Sequence, residues 1–294
     1  MKSAMKSAMT SAIWSAPGKV FLLGEYAVLG GAPALLATVG PRFMLSTGSF
    51  EGSCSTSFHP ESPAGKLAPG SSWYWLDPYA GAGGFGASTA QALLVEAALG
   101  ESTSSLEERW KRYRSHSSGS GADFVAQASG GVIEWQASPF RVEDRSNSLE
   151  KICIRVLQAS QKAGRKVQTH SHLAKVDASR IRELTGLLAP VVASGISAFA
   201  SGDAVDFSGS LVRYAELLAS QDLEDGGARL ERHALGRVPG VMGVKGSGAL
   251  LSDALVAVVD PVRLDLTAWN REVSRLGLID RGEISRAEPG VAKS

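Results

Sequence analysis

Cysteine is almost missing from this chain: 294 residues contain two, Cys54 and Cys153, with no CxxC and no Cys/His metal spacing around them. That provides no disulfide scaffold and no cysteine-built zinc site, and it points to reduced thiols in a cytoplasmic protein. Histidine is scarce as well, at five. His170 and His172 stand at strand-like spacing, but without a third ligand they read as polar side chains rather than a metal site. Neither sign of charge dominates: 30 Lys and Arg face 29 Asp and Glu, a net charge of +1. No global field therefore draws the protein to nucleic acid or to an anionic membrane. No run of about 18 apolar residues occurs, so that criterion offers no membrane span. The opening MKSAMKSAMTSA lacks the apolar stretch of a signal peptide. Residues 1–12 read as a disordered start or as the product of a misassigned start codon, with Met5 and Met9 as alternative initiators. No internal repeat is evident.

Glycine, in contrast, is plentiful at 33 residues, and much of it falls in small-residue segments: SAPGKVFLLGEYAVLGG at 15–31, GAGGFGASTAQ at 81–91 and GVKGSGALLSDALVAV at 243–258. In the middle segment Gly81, Gly83, Gly84 and Gly86 admit positive φ and let backbone N–H groups approach a ligand with no Cβ in the way. From Ser88 onward Ala90, Leu93, Leu94, Ala97 and Ala98 recur at helical spacing. The free amides and positive dipole end of that helix would face the glycine turn, where a phosphate can sit. Ser88 and Thr89 place hydroxyls in the first turn, as caps or as ligands to a phosphate-bound cation. No Walker lysine follows, and a glycine loop alone also fits a plain turn before a buried helix.

Taken together, these segments in this order resemble the GHMP kinases, the family of galactokinase, homoserine kinase, mevalonate kinase and phosphomevalonate kinase. The family's first motif, APGK…GE, is intact as Ala16-Pro17-Gly18-Lys19 and Gly24-Glu25. Its second, GLGSSAA, is matched by Gly84-Phe85-Gly86-Ala87-Ser88-Thr89-Ala90, and its third by Lys245-Gly246-Ser247-Gly248-Ala249. SGSGADFVAQASGG at 118–131 resembles the segment that carries the family's catalytic aspartate. The resemblance spans most of the chain.

Hydrophobic residues make up 44% of the chain, enough to bury a core, and the length suggests about two domains. The order of elements predicts an α+β fold. Residues 20–23 and 33–39 read as strands joined by a tight turn at Gly30-Gly31, with 43–47 as a third strand beside them. Residues 51–72 read as a surface loop, and Trp73, Tyr74 and Trp75 as a buried strand. Ser104 and Glu107 suit a capping box for a helix reaching about Arg114, Asp123 suits the cap of a short helix through Ala128, and 132–135 a strand. Past about Asn147 a second unit begins, with a strand at 151–159. Asp177 caps a helix that shares Ile181, Leu184, Leu188 and Val191 on one face, and Asp203 opens another with Phe207, Leu211, Tyr214 and Leu218 inside. A strand at 255–259, an amphipathic segment at 266–276 and a last strand near 283–286 complete a ferredoxin-like half. The resemblance implies a two-domain GHMP kinase fold. It sets a βαβ-type nucleotide-binding domain at 13–147 and a ferredoxin-like domain at 148–294, with ATP and acceptor in the cleft between them.

The resemblance also implies the chemistry. Phosphoryl transfer requires neutralised phosphates, an in-line acceptor hydroxyl and a group to take its proton. The first falls to the loop from Gly81 through Gly83, Gly84, Phe85, Gly86, Ala87 and Ser88 to Thr89, with Mg²⁺ held by Ser88. Asp123 matches the catalytic aspartate and Lys19 the lysine that lowers its pKa and stabilises the acceptor oxygen. Glu25, Ser120, Lys245, Ser247 and Gly248, with Lys19, are the matching acceptor-binding positions. Departures are visible too. Ala87 replaces a serine, Leu250-Leu251-Ser252 replaces a glycine run, and Arg112 stands where mevalonate kinases carry a metal-shell glutamate. GEYAVLGGAPAL, the SGSGAD segment, Asp253 after the third motif and GRKVQTHSHL around Thr169 resemble phosphomevalonate kinases more than mevalonate kinases. The basic run Arg109, Lys111, Arg112, Arg114 suits either an anionic substrate or a solvated helix face. An acceptor phosphate calls for a cation, and Lys19, Arg112 and Lys245 are the candidates. The expectation is an ATP- and Mg²⁺-dependent kinase, monomeric or homodimeric, acting on 5-phosphomevalonate. Mevalonate is the alternative acceptor, and a catalytically silent metabolite-binding protein the alternative of another class.

Overall fold

The computed structural model describes residues 12–117, 119–159, 177–248, 254–285 and 288–293. The N-terminal start, the whole GRKVQTHSHL segment and the Ala249 to Asp253 stretch with its two leucines lie outside the described residues, as does Ser118.

The first half is built on a seven-stranded sheet. β1 (Ile13–Leu23) and β2 (Ala34–Ser46) are long antiparallel partners, with Lys19 opposite Thr38. The expected separate strand at 43–47 is the far end of β2. A 3-10 turn, Ala27–Gly30, occupies the connection that reads in the sequence as a tight glycine turn. β3 (Cys54–Thr56) and the short α1 (Pro63–Leu67) interrupt the surface loop, and β4 (Trp73–Leu76) follows with Trp73 and Trp75 buried. Then come α2 (Ala87–Ala98), α3 (Leu106–His116), α4 (Ala122–Ser129), β5 (Val132–Ala137) and β6 (Phe140–Asp144). β4 and β5 pair with opposite ends of β2, both antiparallel to it, on the edge away from β1. They therefore run in the same direction with α2 to α4 crossing between them. The βαβ-type expectation takes this form, without a hydrogen-bonded parallel pair.

The second half is a four-stranded antiparallel sheet of β7 (Cys153–Gln158), β8 (Val241–Ser247), β9 (Ala254–Val259) and β10 (Ile279–Glu283), ordered β10-β7-β9-β8. That is the ferredoxin-like order. α5 (Ala178–Ser201), α6 (Ala204–Ser220) and α7 (Gly226–Leu235) lie between β7 and β8, and α8 (Leu266–Leu276) between β9 and β10. Asp177 and Asp203 cap α5 and α6 through hydrogen bonds from backbone N–H groups, as their positions before apolar-periodic runs predict. α5 has the length and apolar composition of a membrane span, but Leu184, Leu188, Val192 and Phe199 turn it into the core. The main core runs unbroken from Leu22 and Leu35 of the first sheet to Val156 and Val258 of the second. The last described residues return to the first half, where β11 (Ala292–Lys293) pairs with Trp14 and Ser15 of β1. Arg42 fastens them through Glu288 and the carbonyls of Pro289 and Gly290.

Candidate functional site

The APGK segment does not form a turn before its strand. It lies within β1, and its lysine is buried, with 4% of its surface exposed. Burial of an ammonium demands a partner, and Lys19 Nζ stands 3.2 Å from Asp123 Oδ1 and 5.1 Å from the centre of the Phe21 ring. Asp123 is held from the other side of the site by α4. Gly121, at φ +79, is the residue before that helix, and a Cβ there would run into the Trp110 indole. Asp123 thus sits inside the first turn rather than capping it, as the sequence suggests, and its carboxylate is left to Lys19. The positive end of α4 favours the anion. Ser120, expected at the acceptor, accepts the Ala122 N–H on its Oγ at 3.2 Å and shapes the turn.

The glycine loop lies alongside. Gly86 precedes α2 at φ +82, a conformation that favours glycine, and Ser88 is exposed in the first helical turn. The Lys19 N–H donates to the Phe85 carbonyl at 3.1 Å, so the first and second motifs are joined by backbone. The Phe85 side chain turns inward, leaving its backbone to the loop. It is fully buried and stacked on Tyr79, with ring centres 4.1 Å apart. Tyr79 donates to the Pro41 carbonyl at 2.8 Å and its phenol is pushed up by burial. Thr89, expected to line the nucleotide, is buried with its hydroxyl 2.9 Å from that of Tyr113. Free amides before α2 with an exposed serine suit a phosphate and its cation. Among the described residues no cluster of three His, Cys, Asp or Glu could hold a metal by itself. A divalent ion would depend on phosphate oxygens together with Ser88.

The acceptor positions drawn from the third motif move inward. Lys245 is completely buried, its ammonium donating to the Glu25 carboxylate and the Gly246 carbonyl. Burial raises the Glu25 pKa and lowers that of Lys245, each opposed by the other's charge. Tyr214 of α6 donates to the Glu25 carbonyl, and Ser247 Oγ accepts the Phe21 N–H at 2.9 Å. These residues fasten β8 and α6 to β1 and the turn after it. Neither Lys245 nor Ser247 is exposed to meet an acceptor, and Gly248 is the last described residue before the gap. Arg112 is displaced as a phosphate ligand for another reason. It bonds Glu96 at 2.9 Å and the Glu101 carbonyl, at the far end of α2 from the glycine loop. Arg109 also pairs with Glu96, both of them largely buried, whereas Lys111 pairs with Glu107 in the open, so of these only Lys111 fits the solvated helix face. Arg114 is exposed, makes no ion pair among the described residues, and runs beside Gly121 near Asp123.

One link was not visible in the motifs. Arg281 of β10 bonds Gln158 Oε1 and lies 5.2 Å from the centre of the Tyr79 ring, while Gln158 Nε2 donates to the Tyr79 carbonyl at 3.2 Å. The second sheet thereby holds the aromatic stack under the glycine loop. No local sequence signal marks residues this far apart in the chain.

No family model and no curated protein matches the chain. Solved structures do. Galactokinase of Lactococcus lactis, crystallised with galactose, superposes with a TM-score of 0.72 at 13% identity, covering 97% of this chain and 95% of that one. Phosphomevalonate kinase of Streptococcus pneumoniae, in complex with phosphomevalonate and AMPPNP, gives 0.70 at 14% identity, with 92% and 98% covered. Methanococcus jannaschii mevalonate kinase gives 0.66 at 14%, with 93% and 98% covered. The chain has the fold of the GHMP kinases.

Proposed function

We propose that this protein is an ATP-dependent small-molecule kinase of the GHMP type, and that its acceptor is 5-phosphomevalonate. The Lys19–Asp123 pair beside the free amides of α2 carries the reading. A carboxylate at the start of one helix and a phosphate-suited helix start are joined through a single lysine, whose backbone binds the loop and whose side chain binds the carboxylate. In this reading Asp123 takes or orients the acceptor's hydroxyl proton. Lys19 stabilises the charge that develops on that oxygen, and the backbone from Gly83 to Ser88 binds the triphosphate. Mg²⁺, held by phosphate oxygens and Ser88, would neutralise charge on the transferred group.

The acceptor assignment draws on the motif resemblances and on Arg114. Of the three candidate cations Lys19 is paired with Asp123, and Arg112 and Lys245 are engaged elsewhere; Arg114, which the motifs did not single out, is a further cation beside the Gly121 turn before Asp123. A guanidinium suits a phosphate dianion through paired donors. Purified protein assayed with ATP and Mg²⁺ against mevalonate, phosphomevalonate, homoserine and galactose tests the proposal. Phosphomevalonate should lead mevalonate by at least about tenfold in kcat/KM. A lead for mevalonate would reassign the acceptor, and ATP binding without transfer to any acceptor would identify a silent member of the fold.

A further inference from the structure

The helix that carries Asp123 also carries Gln127, one turn on and on the same face. Its side chain is fully buried. Nε2 donates to the Pro17 carbonyl at 2.7 Å, in the segment that leads into Lys19. Because that carbonyl can only accept, the amide is oriented with Oε1 away from it. The face of the amide lies against the glycine loop, since a Cβ built on Gly86 would stand 3.0 Å from Oε1 and 3.2 Å from both Cδ and Nε2. Oε1 itself is buried without a donor among the described residues. These contacts close a ring. Lys19 reaches Asp123, one helical turn separates Asp123 from Gln127, Gln127 meets Pro17 and Gly86, and the Lys19 N–H returns to Phe85 beside Gly86. The unpaired amide oxygen disfavours the folded state, and leucine or methionine would remove that cost only by leaving the buried Pro17 carbonyl without its donor. What the glutamine adds is a link that holds the motifs in register.

We propose that Gln127 is a positioning residue for phosphoryl transfer. Its amide locks the Asp123 helix against both the APGK strand and the glycine loop, and so sets the carboxylate relative to the phosphate-binding amides. The inference rests on the kinase reading above. Gln127 acts through Asp123 and Gly86. A misplacement of reacting groups by about 1 Å costs on the order of 10²-fold in rate.

The test uses the full chain in two arms. In the first, Gln127→Leu, Gln127→Glu, Asp123→Asn and the double variant Gln127→Leu/Asp123→Asn are compared with wild type in turnover and melting temperature. Gln127→Leu should stay folded with a modestly lowered melting temperature, because the Pro17 carbonyl loses its donor, and lose about 10²-fold in kcat with acceptor KM changed less than about threefold. Gln127→Glu keeps the length but loses the donor to Pro17, and should be as slow. In the Asp123→Asn background Gln127→Leu should add little, because both losses pass through one carboxylate. The second arm needs no turnover. Gly86→Ala should weaken ATP binding measured by calorimetry, and Gln127→Ala should restore part of that loss by making room for the new methyl. A folded Gln127→Leu with wild-type kcat overturns the proposal, as do losses that simply multiply in either pairing. If wild type transfers phosphate to no acceptor, the kinase reading fails. The ATP-binding arm then still decides whether Gln127 and the glycine loop are coupled.

Discussion

Two lysine–carboxylate pairs lie within the same motif set and differ in one respect. Lys19 meets Asp123, whose side chain keeps 31% of its surface exposed, whereas Lys245 meets Glu25 with 0% and 6% exposed. Lys19 and Glu25 belong to the first motif, six positions apart, so one segment supplies a member of each pair. Residue chemistry is alike in both, and burial divides their roles. The Asp123 carboxylate can exchange contacts with an incoming hydroxyl. The Lys245 ammonium cannot, because its donors are already engaged by Glu25 and Gly246 inside the core. The desolvation of two charges in such surroundings offsets much of their attraction, while loss of one partner strands the other.

The largest effect expected from breaking this contrast comes from the buried pair. Glu25→Gln leaves an ammonium in the core without its paired carboxylate, with Glu224 the remaining negative charge that acts on it, and should destabilise the fold by about 3–5 kcal/mol, read from the urea midpoint. Replacing both partners, Glu25→Gln with Lys245→Met, should recover most of that loss. The single variant carries a pH signature. Lys245 already has a lowered pKa from burial, and removing Glu25 lowers it further. Between that depressed folded value and the unfolded value of about 10.4, the unfolded chain holds the extra proton, so stability of Glu25→Gln should rise with pH across this window. A variant as stable as wild type at neutral pH would mean that Lys245 reaches solvent.

The half-exposed pair should respond mainly in rate. Asp123→Asn keeps the shape and removes the charge, so turnover should fall by about 10²-fold or more, equivalent to about 2.7 kcal/mol of barrier. Its unfolding midpoint should fall as well, because Lys19 is left buried beside a neutral partner, but by less than in Glu25→Gln, since Asp123 is 31% exposed to water and asparagine can still accept from the ammonium. Near-normal turnover would remove Asp123 from the mechanism.

How much of this was readable beforehand follows the range of the interactions. Caps and periodic faces are local, so Asp177, Asp203 and the Leu184–Leu188–Val191 stripe fall where the sequence places them. The box at α3 slips by one residue, to Ser105 and Glu108, because two serines precede an acidic pair and helical geometry alone selects between them. Motif matching singles out Lys19, Asp123 and Gly86, and the structure brings their segments together through the Lys19–Asp123 pair and the Lys19 N–H to the Phe85 carbonyl. The same matching misplaces Lys245, Ser247 and Thr89. Whether a polar side chain faces a cleft or the core is decided by elements more than a hundred residues away for the first two, and by Tyr113 of a neighbouring helix for the third. Arg281 under Tyr79 belongs to the same class of distant contact.

A smaller effect separates the phosphate end from both pairs. Gly86→Val places a branched side chain at φ +82 and against the Gln127 amide, so the loop must shift. ATP affinity should fall by about tenfold or more while the Lys245–Glu25 side of the molecule is unaffected. Ser88→Ala removes the exposed hydroxyl and should raise the Mg²⁺ concentration needed for half-maximal rate. Unchanged ATP affinity and metal dependence in both variants would move the nucleotide elsewhere.

The smallest and most discriminating effect is expected at Arg114. This side chain has no carboxylate partner among the described residues and lies beside the turn that presents Asp123, whereas Arg112 on the same helix is held by Glu96. An exposed guanidinium contributes modestly to an anion contact because water screens it. Arg114→Gln should therefore lower kcat/KM for phosphomevalonate by about tenfold, equivalent to about 1.4 kcal/mol, and leave any mevalonate turnover unchanged. Added salt should shrink the difference between wild type and variant, as screening of an exposed contact requires. Arg112→Gln serves as the control. It breaks a pairing at the far end of α2 and should reduce stability without changing the preference between acceptors. Equal losses on both acceptors in Arg114→Gln would show that the residue shapes the Asp123 turn instead of reading the acceptor's phosphate.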